Sequence, residues 1–222
     1  MRRLSWVGLF LGIYLVSTSL VWSQGSYKLE TAPLSASSDV PKSLQSALQP
    51  QGQRLVDAKG APVSEIWFSK SVPAQTGGNS AGDVLYNGLS MGEFVGIMHF
   101  PKAGSDFRGQ SIKPGYYTMR YALIPQDGNH MGVSPNRDFV LLTPVSADAD
   151  PAKAVGFNDL VKLSKQASGT NHPAVISLAA ATAQNFPSVG QDDQGHWMLQ
   201  VKLPTSSGEL PFALILVGQA QS

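Results

Sequence analysis

Residues 125–132 read Pro-Gln-Asp-Gly-Asn-His-Met-Gly and set Asp127, Asn129 and His130 beside Gly128 and Gly132. A carboxylate, an amide and an imidazole on a glycine-rich loop supply donors, acceptors and room for close backbone approach, which is how binding loops on rigid scaffolds are made. Asp-Gly-Asn is also ordinary turn chemistry. Arg120 lies just upstream among tyrosines, and Arg137 closes the loop. A guanidinium in an apolar strand must reach solvent or meet a carboxylate, and Asp127 and Asp138 are the acids that follow it. Arg120 would then be half of a structural salt bridge, the usual way a buried charge is tolerated, or the recognition group for an anionic ligand.

Metal chemistry would fall to the four histidines, His99, His130, His172 and His196. None stands at a spacing that brings two ligands together locally. Met98 beside His99 and Met131 beside His130 suggest copper, which accepts thioether and imidazole. Neighbours on a strand point to opposite faces, however, so a site requires His99 and His130 to converge in space. A hydrolase would need a strained serine turn such as G-x-S-x-G, and Gly132-Val133-Ser134 is followed by Pro135, which breaks that pattern. Asp192-Asp193 and Asp148/Asp150 sit in turn-like contexts. Trp67, Tyr116 and Trp197 are the aromatics to weigh as sugar-stacking platforms, although such residues more often fill a core.

These groups must be carried by an exported chain. Arg2 and Arg3 precede an uncharged apolar run over residues 4–16, and Ser23 offers a small-residue cleavage point, so residues 1–23 read as a signal peptide. The alternative is an uncleaved anchor over residues 4–22, just long enough to span a bilayer. Without the signal, 14 basic residues stand against 15 acidic ones, a formal charge of −1. That near-neutrality argues against nucleic acid, which needs clustered cations. The chain has no cysteine, so disulfides, thiolate metal sites and a lipid-modified cysteine are excluded. An exported domain of this kind must be held by its core alone.

Residues 24–38 are rich in Ser, Ala and Pro and read as a flexible leader. Asp39 can cap a short helix ending at Pro50. Strands are expected from Arg54, Val63, Glu93, Gly115, Asp138, Trp197 and Pro211, and one amphipathic helix around Phe157 to Gly169 interrupts them. Seven strands joined by turns predict a mainly β, single domain over residues 39–220. An antiparallel β-sandwich of immunoglobulin-like or transthyretin-like type fits this pattern, with a jelly roll or small barrel as the alternative.

The run IKPGYYTMRYALIPQDGNHMG, with its PG-x-Y-x-x-R-Y core, resembles the turn-plus-strand signature of exported bacterial β-sandwich modules. With RDFVLLTPV and SGTNHPAVISL, the chain is similar over residues 112–178 to uncharacterised signal-peptide-bearing bacterial proteins. That resemblance implies an extracytoplasmic address and a sandwich fold, and no activity. The expectation for function is a non-catalytic exported binding module with no cofactor, contacting its partner through Arg120, Asp127, Asn129, His130 and Arg137. A small molecule, a glycan or an envelope protein would be the partner, and any membrane contact would run through the signal segment. A metal protein or hydrolase using His130 and Asp127, and a structural envelope component, are the alternatives.

Overall fold

Alternation of large apolar and smaller or polar residues after Pro114 forces two different faces onto one strand. A computed structural model, which describes residues 26–34, 38–75, 83–126 and 136–218, shows where each face goes. The described residues form, in chain order, β1 (Lys28–Pro33), α1 (Lys42–Ala47), β2 (Gln51–Val56), β3 (Pro62–Phe68), β4 (Phe94–Phe100), β5 (Gly104–Ser105), β6 (Ser111–Ile112), β7 (Gly115–Leu123), β8 (Asp138–Pro144), α2 (Phe157–Ser168), β9 (Val175–Ala179), β10 (Ser188–Gln191), β11 (Trp197–Thr205) and β12 (Gly208–Val217). Ten of the strands make one antiparallel sheet in the order β1-β2-β3-β4-β7-β8-β9-β12-β11-β10, and β5 and β6 pair separately.

The mainly β, antiparallel architecture with two helices is the one the chain adopts. The sheet curls until β1 comes alongside β10, so of the expected arrangements the small, nearly closed barrel describes it best. Tyr117, Met119 and Tyr121 of β7 point into the barrel, where they join Ile66, Met98, Leu142, Leu199 and Phe212 in one buried cluster. Thr118, Arg120 and Ala122 point outward yet are equally buried. Residues 145–156 climb over them, and α2 packs Leu160 against Ala122, Phe139 and Leu141. Burying such side chains stabilises by roughly 1.5–3 kcal/mol each. Gly169 ends α2 in the left-handed conformation (φ 71°) with its N–H on the Lys165 carbonyl, as its sequence position predicts.

Three expectations are corrected. The leader over residues 24–38 contains β1, which pairs with β2 from Lys28↔Val56 to Pro33↔Gln51; an edge strand needs little hydrophobicity of its own, so composition concealed it. The seven expected strands omit β1, β5, β6, β9 and β10, which are short or set by partners distant in sequence. Pro41, not Asp39, occupies the cap position of α1, where no side chain caps the helix.

Candidate functional site

Arg120 is 1% exposed, and every one of its five N–H donors has an acceptor. Nε and Nη2 grip Asp148 Oδ2 and Oδ1, each at 2.8 Å. Nη2 also donates to the Asp150 carbonyl at 2.8 Å, and Nη1 to the carbonyls of Gly92 and Lys153, both at 3.1 Å. The Thr118 hydroxyl donates to Asp148 Oδ2 at 2.6 Å, and the guanidinium carbon lies 5.5 Å from the centre of the Phe94 ring. Gly92 (φ +83°) admits the segment opposite, since a Cβ there would fall 2.6 Å from the Val155 carbonyl oxygen. One buried cation therefore fixes a stretch without regular secondary structure against the outer wall of the barrel.

That stretch bounds a cleft of about 450 Å³ between residues 147–156 and α2. Val155 and Leu163 lie in it, with Asp150, Lys153, Asp159 and Lys162 at its rim. Asp148 is not legible as this partner in the sequence, where it reads as a turn carboxylate, although an arginine stranded in a strand asks for an acid anywhere within reach.

Of the expected partners, Asp138 does not serve Arg120. Asp138 stands on the inner face of β8 with Val140 and Leu142, whereas Arg120 points outward, so the pleat separates them. Asp138 is fully buried and accepts the Leu85 N–H (2.8 Å), the Tyr86 N–H (2.9 Å) and the Tyr121 hydroxyl (2.6 Å). The Tyr86 hydroxyl in turn donates to the Ala179 carbonyl of β9 and accepts from the Ala213 N–H of β12. Burial first, and then the Asp138 carboxylate, push both phenols well above the ordinary tyrosine value. A raised folded-state value gives stabilisation that is complete below pH about 10 and lost as pH climbs beyond it, because only the unfolded chain ionises freely. The urea midpoint should therefore fall above about pH 10, and less steeply in Tyr121→Phe; an unchanged midpoint in that range would refute the assignment.

Asp127, Asn129 and His130 lie outside the described residues. Arg137 is described: Nη1 meets Asp83 Oδ1 at 3.2 Å and Nε donates to the Ile124 carbonyl, while Gln126 donates to Asp83 Oδ2 at 3.0 Å. These three side chains join the bases of two long connections at one end of the barrel. Ile124, Val155 and Phe157 all pack against the buried cluster of Ala122, Phe139, Leu141 and Leu160, so that end adjoins the cleft.

His99 is on the outer face of β4. Glu30, Arg54, Glu65, His99 and Tyr116 stand directly opposite one another across five strands. His99 Nδ1 lies 2.9 Å from Glu65 Oε2, and its ring stacks on Tyr116 at 4.0 Å. Burial raises the Glu65 carboxyl, but hydrogen bonds from His99 and Arg54 outweigh it and hold the group below the usual range. Among the described residues no three acidic or imidazole side chains gather as metal ligands. Asp192 closes a turn by accepting the N–H groups of Gln194 and His196, and it meets the His196 ring at 2.8 Å. Trp67 is core, its indole N–H bound to the Ala32 carbonyl, and Trp197 packs edge-on against Tyr27 at 5.3 Å.

No family model, curated protein or solved structure matches this chain. Among the described residues the buried aspartates are committed within the fold: Asp148 to Arg120 and Thr118, Asp138 to three donors, and Asp106 to the Arg108 and Gln110 side chains and backbone N–H groups.

Proposed function

We propose that this chain is an exported, non-catalytic binding module whose contact surface is the outer face over Arg120, with the adjoining base of the connection between Gln126 and Arg137. The observation that carries this reading is the use of Arg120. Its donors to Asp148, Asp150 and Lys153 hold a segment without regular secondary structure in place beside the 450 Å³ cleft, and rigid, preorganised walls lower the entropic cost of binding. Arg120 is thus a positioning residue, and its saturated donors leave the ligand to the cleft itself. The export signal read in residues 1–23 and the near-neutral mature charge support a partner outside the cytoplasm that is not nucleic acid.

The test uses mature protein immobilised against the envelope fraction of its own cells, compared with a Lys153→Glu/Lys162→Glu variant. Both lysines are exposed rim residues, so the variant should keep its thermal midpoint while retention of the bound component falls by about tenfold. Equal retention by the two proteins, or none by the wild type, would overturn the proposal.

A further inference from the structure

The barrel wall has a framed opening. β10 pairs with β11 only as far as Ser188↔Gln200, so among the described residues the next residues of β11, Val201 and Lys202, meet no strand on that side. Further along, the chain after β3 crosses over: Val72 bridges Thr205, with its N–H on the Pro204 carbonyl and its carbonyl taking the Ser206 N–H. Opposite, β1 ends at Pro33 beside Gln51. Between these limits lies a hollow of about 240 Å³. Phe68 and Val201 of the core and the half-buried Phe186 give it apolar surface, and Gln49, Gln51 and Gln53 give it polar surface. The side-chain amides of Gln51 and Gln53 have no protein partner among the described residues, and that of Gln49 reaches only the Ser69 carbonyl at 3.5 Å. The charges nearby, Lys202 and Glu209, neutralise each other at 2.9 Å.

We infer that this opening is a saccharide subsite for one ring of a neutral glycan. An amide presents an acceptor oxygen and a donor NH₂ in one plane, which matches adjacent hydroxyls that each donate and accept. The electron-rich face of a phenyl ring suits the C–H side of a pyranose. A hollow below the roughly 300–1,000 Å³ of sites for drug-sized ligands fits a single ring. With its charges internally paired, the site offers an ionic ligand no net attraction. It is separate from the surface over Arg120 and does not depend on that assignment.

The test is an NMR titration of labelled mature protein with glucose, galactose, mannose, xylose and N-acetylglucosamine. The expected result is saturable shifts of the Gln51 and Gln53 side-chain amides and the Phe186 ring with at least one sugar, at a Kd of about 1–10 mM. Gln53→Ala and Phe186→Ala should each weaken binding by about tenfold. Exposed Gln51→Ala, which disturbs no packing, serves if either of those fails to fold. The Lys153→Glu/Lys162→Glu variant should bind the sugar unchanged. Absence of shifts at these side chains with all five sugars, or shifts insensitive to Gln51→Ala and Gln53→Ala, would overturn the inference.

Discussion

Arg120→Met should destabilise the domain by about 3–5 kcal/mol, the usual cost of stripping one partner from a buried ion pair. The substitution leaves Asp148, 4% exposed, without its counter-charge. It also takes donors from the carbonyls of Gly92, Asp150 and Lys153. Against the roughly 5–15 kcal/mol that holds a typical domain together, this is a large share. Arg120→Met/Asp148→Leu removes both charges and should recover part of the loss, because replacing a whole buried pair with apolar groups is far cheaper than breaking it. Urea unfolding of the three proteins decides the matter. A single-variant cost below about 1 kcal/mol would mean that the guanidinium is not the anchor described above.

The second large effect is expected at Asp138. Asp138→Ala leaves two backbone N–H groups and one phenol unsatisfied inside the barrel, and each such group costs roughly 1–3 kcal/mol. Because the three share one acceptor and relax together, the total should be about 3–4 kcal/mol. Tyr121→Phe, which deletes one donor and leaves none orphaned, should cost about 1 kcal/mol. Native-state hydrogen exchange adds a local signature: in Asp138→Ala the amides of Leu85 and Tyr86 should exchange much faster than those of β7 and β8. Uniform exchange across these elements would place the damage elsewhere.

Strands whose alternation is strong and whose neighbours follow directly could be read from sequence. β7 and β11 carry a clean two-residue period, and α2 shows its apolar face and its terminating Gly169. β1 and β10 could not, because each is short and owes its conformation to a partner strand. Closure is a long-range event, resting on contacts such as Val72 with Thr205 that leave no local trace. At the candidate site the need of Arg120 for a carboxylate was legible, but its partner was not. Sequence order favoured the acids nearest downstream, while the pleat sent Asp138 inward and the climb of residues 145–156 brought Asp148 over the outer face. Asp192-Asp193 reads as turn chemistry in the sequence, and Asp192 does close a turn.

The two strands that end the sheet also guard the molecule against its own copies. An exposed edge offers a row of unpaired backbone donors and acceptors on which another chain can polymerise. Here the curl of the sheet turns β1 and β10 toward each other, and beside them Tyr27, just before β1, packs against Trp197 at the start of β11. Each edge is thereby screened by the other from passing molecules. A sheet whose described strands leave the ring of hydrogen bonds open thus shields its edges much as a closed one does, and it keeps an opening in its wall.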